Sequence, residues 1–384
     1  MKKFLKILLH VLSYVLVAVV AAALTLFIGM RTGQYSKLEQ LEALLSHYFV
    51  GEADKQKMED AAANAMVEAL GDRWSYYIPA DEYAAYQEQK KNAYVGIGVT
   101  IRETEQGYHI DKVTEGGPAE KAGLQAGDIM VAVDGTNVVG LPVAQGKELV
   151  QGKKRTTVQI TVDRAGQQLT FTVKRDTVKT KVATGQMLDG NIGLVTIENF
   201  NTNCYSESKA AVEALREQGA VALIFDVRYN GGGYADEMVK LLDYLLPKGD
   251  LFRTVDYRGK EQVDKSDADC VEMPMAVLVN GSSYSAAEFF AAALQEYEWA
   301  KVIGEHTSGK GHYQVTYQLS DGSAVALSIG KYYTPKGQCL EGVGIVPDVV
   351  VEVDNQTAAG IYAGTLDPME DPQILAAIEA LKAQ

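Results

Sequence analysis

The stretch MAVLVNGSSYSAAEFF, residues 275–290, joins an apolar run, a polar turn and a helix-forming segment. An uninterrupted apolar run is typical of a strand covered on both faces, so this stretch predicts a strand, a turn and a helix. IGLVTIENF at 192–200 likewise precedes a helical pattern at 205–218. VALIFDVR at 221–228 precedes another at 234–246. Alternating strands and helices predict an α/β (α+β) core around a mixed or largely parallel sheet.

The turn in the first stretch carries three candidate nucleophiles, Ser282, Ser283 and Ser285. A serine hydroxyl at a helix N-terminus lies where developing negative charge is stabilised, which suits nucleophilic catalysis. Ser285 and Glu288 also have the spacing of a capping box, so a purely structural role fits the same residues. Spacing alone does not choose among the three serines.

Three consecutive glycines end the motif FDVRYNGGG, residues 225–233, just before a predicted helix. Glycines allow backbone N–H groups to point at an anion, and the helix N-terminus adds positive potential. The phosphate-binding pattern GxxxxGK[ST] is absent from the sequence, so we interpret the turn as one half of an oxyanion hole. A turn that only needs positive φ is the alternative. Asp226 and Arg228 are expected to support this turn.

Lys310 lies between two glycines in HTSGKGHYQ, residues 306–314. As a general base it must lose a proton whose reference pKa is about 10.4. Burial lowers such a pKa, and a neighbouring amide can orient the neutral amine. An exposed lysine without a catalytic role is one alternative. A Ser-His-Asp triad that uses His306 or His312 is another.

Residues 95–178 have a different texture, with short β-rich runs separated by glycine, asparagine and aspartate turns. Within them, GGPAEKAGLQAGDIMVAVDG at 116–135 predicts a short helix, a tight turn and a strand. Together with GIGV at 96–99, this stretch resembles a bacterial PDZ domain. The resemblance implies that a partner's C-terminal strand adds to a sheet edge, while backbone N–H groups of a glycine-rich loop hold its carboxylate.

The carboxylate loop is then formed by Val95, Gly96, Ile97 and Gly98. The alternative is a domain that binds no tail and only holds the enzyme in shape.

Composition excludes several classes of protein. The 384 residues carry 36 basic and 50 acidic side chains, a net charge of −14. The first 31 residues hold four of the basic residues and no acidic one, so the rest carries 32 − 50, or −18. Such an acidic body disfavours nucleic-acid binding. Three widely spaced cysteines, five histidines and no HExxH motif predict neither a disulfide framework nor a metal site, and we expect no cofactor.

Residues 7–30 form an apolar run long enough, as a helix, to cross about 30 Å of hydrocarbon. Lysines precede the run, which predicts a cytoplasmic tail, a membrane anchor and an exported body. A cleaved signal peptide is the alternative, with Ala21-Ala22-Ala23 as the small-residue site, although LTLFIGM at 24–30 continues the apolar run. Either reading places the activity outside the cytoplasm.

The chain divides into five predicted parts: a tail and anchor (1–31), an N-terminal helical region (32–92), a PDZ domain (93–178), a catalytic core (179–354) and a C-terminal linker and helix (355–384). In the second part, LEQLEALL and MEDAAANAMVEALG predict helices, with a stop at Gly71. The helical arm at 37–90 and the tail at 366–382 are consistent with a homodimer.

These motifs together resemble the carboxy-terminal processing proteases, also called tail-specific proteases, from about Ala62 to Val351. The match includes LGDRWSYYIPADEY at 70–83 and KYYTPKGQCLEGVGIVPDVVV at 331–351. Two departures stand out. Tyr284 replaces the usual alanine before the nucleophile, and residues 72–75 read DRWS where a proline and a tyrosine are more usual.

The resemblance implies Ser285 as the nucleophile, Lys310 as the general base and Gln314 as the amide that orients it. It further implies that oxyanion donors come from the backbone N–H of Ala286 and of Gly232, with Gly233 as the alternative.

The expected protein is a membrane-anchored, exported serine endopeptidase that recognises apolar C-terminal tails of proteins or peptides and forms an acyl-enzyme. Two other classes of function remain open. One is a catalytically silent protein on the same scaffold that binds tails through its PDZ domain. The other is an acyl-CoA hydratase or isomerase, whose fold also binds an oxyanion with two backbone N–H groups.

Overall fold

The computed structural model describes residue 10 and residues 12–24 and 36–382. The chain divides into two units, Met1–Tyr77 and Ile78–Gln384. The predicted anchor at 7–30 falls partly outside the described residues. Within it, residues 12–24 are described and are helical. Among the residues that are described, no helix is both long enough and apolar enough to span a bilayer.

The first unit contains the two helices that the sequence predicts, α1 (Lys37–Tyr48) and α2 (Lys55–Glu68). Ser36 starts α1 with a capping box, in which its hydroxyl accepts from the Glu39 N–H and its own N–H donates to the Glu39 carboxylate. Helix α2 ends at Glu68, and the N–H of Gly71 donates to the Glu68 carbonyl. Strand β1 (Tyr76–Ile78) follows at the boundary of the unit.

The second unit begins with α3 (Ala80–Lys90) and continues into a β-rich domain. Its strands are β2 (Ala93–Gly96), β3 (Val99–Thr104), β4 (Gly107–Val113), β5 (Ile129–Val133), β6 (Thr136–Asn137), β7 (Thr157–Arg164), β8 (Gln167–Lys174) and β9 (Asp176–Lys179). The antiparallel sheet has the order β3-β4-β5-β7-β8, while β2 pairs with β9. Strand β3 therefore lies at an edge of the larger sheet.

Two short helices complete this domain, α4 (Pro118–Ala122) and α5 (Val143–Val150). Helix α4 begins with a proline at its first position and ends at Gly123, whose φ of 97° only glycine adopts without strain. The predicted short helix, turn and strand are confirmed here. Helix α5 was not predicted, because eight residues give too little periodicity to recognise.

The region predicted as the catalytic core is built on a six-stranded sheet of order β10-β11-β12-β15-β16-β19. Its strands are β10 (Ala183–Leu188), β11 (Ile192–Ile197), β12 (Ala222–Asp226), β15 (Met275–Val279), β16 (Ala300–Gly304) and β19 (Val349–Val350). Only β10 runs antiparallel to its neighbour, which confirms the predicted mixed sheet.

Helices cover both faces of this sheet: α6 (Cys204–Glu217), α7 (Ala235–Leu245) and α8 (Ala286–Glu296) on one face, and the C-terminal helix α10 (Pro372–Lys382) on the other. Phe225 and Val277 pack in the first layer, whereas Ile224 and Leu278 pack against α10. Every residue of β12 and β15 is buried. This double covering is the reason why both strands are apolar throughout.

Four strands form an antiparallel arrangement that the sequence analysis did not identify: β13 (Gly249–Asp256), β14 (Glu261–Ser266), β17 (His312–Gln318) and β18 (Ala324–Tyr333). The C-terminal region also differs from the predicted linker. Residues Asn355–Ala363 form helix α9, which begins where the Asp354 carboxylate accepts from the Thr357 N–H at 2.7 Å. A short 3₁₀ helix (Pro368–Glu370) separates α9 from α10.

Candidate active site

Ser285 lies where the chain turns from β15 into α8. Its φ of 60° and ψ of −127° are rare for a residue with a side chain and store about 1–3 kcal/mol of strain. Ala286, the first residue of α8, is buried, and its N–H makes no hydrogen bond with any other described residue. The first N–H groups of a helix have no partner within the helix, so this one is suited to bind an anion.

The other two serines of the turn have different surroundings. The Ser283 hydroxyl donates to the Val227 carbonyl at 2.8 Å and accepts the Asn280 N–H at 3.0 Å. Ser282 is exposed, and its N–H donates to Asn280 Oδ1 at 3.1 Å. Ser283 therefore stabilises the turn itself. Among the three serines, only Ser285 is buried at the helix start.

The glycine turn after β12 approaches Ser285 closely. A Cβ atom on Gly232 would lie 2.8 Å from the Ser285 Cβ and 2.9 Å from the Ala286 nitrogen. The Gly232 N–H donates to Asn230 Oδ1 at 2.8 Å. The N–H of Gly233 makes no hydrogen bond within the described part of the chain. The choice between these two glycines as oxyanion donor stays a prediction.

A buried ion-pair network stabilises the same turn. Arg228 donates to the Asp226 carboxylate at 2.6 and 2.9 Å, to Asp371 at 2.7 Å and to Gln373 at 2.8 Å. Burial alone would lower the pKa of Arg228, but the two carboxylates raise it above its ordinary value. Asp226 and Arg228 therefore support the glycine turn as expected, and they connect it to the start of α10.

The sequence analysis gave Glu288 only a capping-box role and missed its contacts with the Lys310 loop. Its carboxylate is fully buried and accepts the N–H of Ser285 at 3.0 Å and the N–H of Lys310 at 2.8 Å on the same oxygen, Oε2. The other oxygen, Oε1, accepts the Thr307 hydroxyl at 2.6 Å and the Gly309 N–H at 2.7 Å. Burial raises the pKa of Glu288 and exceeds the opposite effect of these bonds. The capping-box spacing was the available signal.

The two glycines beside Lys310 are required by close packing against the 340–345 segment. A Cβ on Gly309 would lie 2.9 Å from the Gly344 nitrogen. One on Gly311 would lie 2.5 Å from the Glu341 nitrogen. Lys310 itself is half-buried. The packing explains why glycines flank it.

The remaining polar residues of this loop have other partners. His306 is exposed, and His312 Nδ1 lies 3.0 Å from a Glu341 carboxylate oxygen. Within the described residues, no hydrogen bond joins either histidine to Ser285, so the geometry gives no support to a Ser-His-Asp triad. The Gln314 amide donates to the His312 carbonyl at 3.1 Å and to the Ser328 hydroxyl at 2.9 Å. Its role towards the Lys310 amine stays a prediction.

The glycine-rich loop of the β-rich domain opens onto the same cleft as the glycine turn. Ile97 is buried and its carbonyl accepts the Ala119 N–H at 2.8 Å, while Gly98 has a φ of 80°. A cleft of about 1300 Å³ is lined by residues 95–98 at one part and by Gly231, Gly232 and Tyr284 at another. One continuous cavity therefore joins the loop to the Ser285 region.

A metal centre is not apparent in the described part of the chain, where no three or more His, Cys, Asp or Glu side chains cluster suitably. The three cysteines are unpaired. Burial raises the pKa of Cys204 to about 12, so this thiol stays protonated.

Comparison with known proteins agrees with this architecture. Residues 191–351 match Peptidase family S41, and residues 95–175 match the PDZ domain. The chain is 33% identical over 368 residues to the carboxy-terminal processing protease CtpA of Bacillus subtilis, covering 92% of this chain and 78% of that protein. It is 34% identical over 330 residues to a CtpA-like serine protease of Staphylococcus epidermidis, covering 84% and 67%.

A solved structure of an S41 protease from Bacteroides fragilis shares the fold, with a TM-score of 0.59 at 16% identity over 91% of this chain and 98% of that one. The sequence matches to the two CtpA proteins extend over most of both chains, so they show family membership as well as a shared fold. The chain therefore belongs to the carboxy-terminal processing proteases of peptidase family S41, and it is a serine-type endopeptidase with a PDZ domain.

Proposed function

We propose that Ser285 is the nucleophile and Lys310 the general base of an endopeptidase that selects substrates by their C-terminal tails. The shared Glu288 oxygen carries this proposal, because it fixes the backbones of both residues relative to each other. A nucleophile and its base must be positioned to within a fraction of an ångström. A buried carboxylate with four donors provides such positioning.

The proposed reaction uses side chains and backbone alone. Neutral Lys310 takes the proton of the Ser285 hydroxyl as the oxygen attacks a peptide carbonyl. The Ala286 N–H and the N–H of Gly232 or Gly233 bind the oxyanion. Lys310 then gives its proton to the leaving amine, and an acyl-enzyme remains. Water, deprotonated by Lys310, hydrolyses the ester and restores the serine.

The PDZ domain is proposed to hold the substrate's terminal carboxylate at residues 95–98. Strand β3 lies at the sheet edge, where a tail adds as a further strand. Lys147, Lys153 and Lys154 also line the cleft and are exposed. Lys147 and Lys153 attract a carboxylate, whereas Lys154 lies 3.3 Å from Asp176 Oδ1. The cleft then leads an apolar tail towards Ser285.

We further propose that the enzyme works outside the cytoplasm, anchored by residues 7–30. The support is the length of this apolar run and the lysines before it. Sequencing the N-terminus of the protein from membrane and soluble fractions tests the proposal. An intact N-terminus in the membrane fraction is expected, whereas an N-terminus near residue 24 in the soluble fraction would indicate a cleaved signal. A homodimer stays a prediction, to be tested by light scattering.

The central experiment incubates the detergent-solubilised full chain with a loosely folded protein that ends in an apolar tail. Mass spectrometry follows the products. A second substrate carries the same tail with an amidated C-terminus. Variants Ser285→Ala and Lys310→Ala are expected to abolish cleavage, and Lys310→Arg as well, because guanidinium does not deprotonate. Ser282→Ala and Lys301→Ala are matched controls, since both residues are exposed and lie outside the proposed machinery.

Cleavage by the parent chain that disappears in Ser285→Ala and weakens with the amidated tail supports both parts of the proposal. Cleavage retained by purified Ser285→Ala overturns the catalytic assignment. Equal cleavage of both substrates overturns tail selection while leaving the nucleophile in place. Tail binding without any cleavage indicates the silent binding protein, and a thioester screen tests the acyl-CoA class.

A further inference from the structure

Tyr284, the residue directly before Ser285, lies against the glycine turn and near Lys310. Its N–H donates to the Asn230 carbonyl at 3.1 Å, which fixes the backbone at the cleft. The centroid of its ring lies 5.8 Å from Lys310 Nζ. The side chain is half-buried and lines the cleft together with Gly231. The ring of the residue before the proposed nucleophile therefore lies close to both the proposed base and the glycine turn.

The Tyr284 ring occupies the space that a side chain at position 231 would need. A Cβ atom there would lie 2.5 Å from the Tyr284 hydroxyl oxygen and 2.8 Å from the adjacent ring carbon. Unlike Gly232 and Gly233, Gly231 does not have a positive φ. Its backbone would accept alanine, so the contact with Tyr284 is what excludes a side chain at this position.

We propose that Tyr284 is a specificity-determining residue, whose ring restricts the substrate side chain on the acyl side of the scissile bond to small residues. This inference rests on the proposed function of Ser285. The attacked carbonyl carbon bonds to the Ser285 oxygen, and its oxygen lies between the Ala286 N–H and the glycine turn. The side chain of the same substrate residue starts one bond away. Tyr284 directly precedes Ser285 in the chain, and Gly231 directly precedes Gly232 of the glycine turn.

The ring occupies volume that a large substrate side chain would need. A pocket discriminates by about 10–200-fold for each methylene that it accepts or rejects. Replacing Tyr284 with alanine removes the whole ring. Substrates with a large residue on the acyl side should then gain at least about 10-fold in kcat/KM relative to the substrate with alanine there.

The test uses the full chain and peptides with one common apolar tail, varied only on the acyl side of the cleaved bond as Ala, Val, Leu or Phe. The parent chain is expected to prefer Ala. Tyr284→Ala is expected to raise the Phe-to-Ala ratio of kcat/KM by about 10-fold or more. Tyr284→Phe keeps the ring and is expected to keep the parent ratio.

Gly231→Ala provides a second, independent measurement. Its methyl group displaces the Tyr284 ring. The Phe-to-Ala ratio of kcat/KM should therefore shift in the parent background and not in the Tyr284→Ala background. A double-mutant cycle of the four chains measures this coupling.

Serine-dependent cleavage with the same ratio in the parent chain and in Tyr284→Ala would overturn the role of Tyr284 alone. If Ser285→Ala cleaves the peptides as well as the parent chain, or if the parent chain cleaves none, the proposed function itself fails. The two failures are therefore distinct.

Discussion

Ser285 and Lys310 are 25 residues apart in the sequence, yet their backbone N–H groups donate to one oxygen atom, Oε2 of Glu288, at 3.0 and 2.8 Å. Glu288 belongs to α8, as the third residue after its cap, so the helix that begins at the proposed nucleophile also holds the loop of the proposed base. The relative position of the two residues thus depends on a single buried carboxylate.

Replacing Glu288 with glutamine is expected to lower kcat by at least about 10-fold, because an amide nitrogen would face two of the four donors. Unmet donors should also lower the free energy of unfolding by about 1–3 kcal/mol. Steady-state kinetics and denaturant titration measure the two effects.

Glu296→Gln is the matched control for this change. Glu296 ends the same helix, and its carboxylate accepts the Thr334 hydroxyl and the Lys336 N–H away from Ser285. It should lose some stability and keep its kcat. Equal kcat in the Glu288 and Glu296 variants would contradict a positioning role for Glu288.

Ser285→Gly should unfold with a free energy about 1 kcal/mol higher than that of Ser285→Ala, because glycine adopts a φ of 60° without strain. Both variants lack the hydroxyl and should be inactive. The same pair of changes at Ser206, an exposed residue of α6, should have the opposite order. Thermal unfolding of the four variants checks this, and alanine as the more stable residue at 285 would argue against strain.

Asp371→Asn should lower the free energy of unfolding by about 3 kcal/mol, because it leaves the buried Arg228 guanidinium with one carboxylate instead of two. The glycine turn next to Arg228 should loosen as well and lower kcat. Glu370→Gln alters an exposed neighbour and serves as the control. A variant at 371 as stable as this control would contradict the proposed link between α10 and the turn.

Asp128 gives the PDZ domain a stability that depends on pH. Burial alone would raise the pKa of Asp128, but bonds from Arg164 at 2.6 and 2.8 Å and from the Gln125 N–H hold it below its usual value. A lowered folded pKa means stability that is present above about pH 4 and lost as the pH falls through the folded value.

At pH 7, Asp128→Asn should therefore melt at a lower temperature than the parent chain, because its free energy of unfolding is lower by about 1–2 kcal/mol. The difference should shrink as the pH falls towards 3. Melting temperatures at pH 7, 5, 4 and 3 measure it. A difference that is constant across this range would contradict the ion pair as its source.

Much of the fold could be predicted from the sequence, because strands covered on both faces, such as Met275–Val279, are uniformly apolar, and helix ends carry local signals such as Ser36 and Gly123. The four strands of the second arrangement were missed since half-exposed strands such as Glu261–Ser266 are largely polar. Helix Val143–Val150 was too short to show a period.

The sequence by itself determined the chemical groups, namely a serine at a helix start, a lysine between glycines and a glycine turn after a buried strand. These depend on local backbone preferences, which a few neighbouring residues dictate. Only the tertiary structure decided that Glu288 joins Ser285 to Lys310, that Arg228 bonds to Asp371, and that Tyr284 covers Gly231. Such contacts join residues up to 143 positions apart, and their geometry follows from how the layers pack.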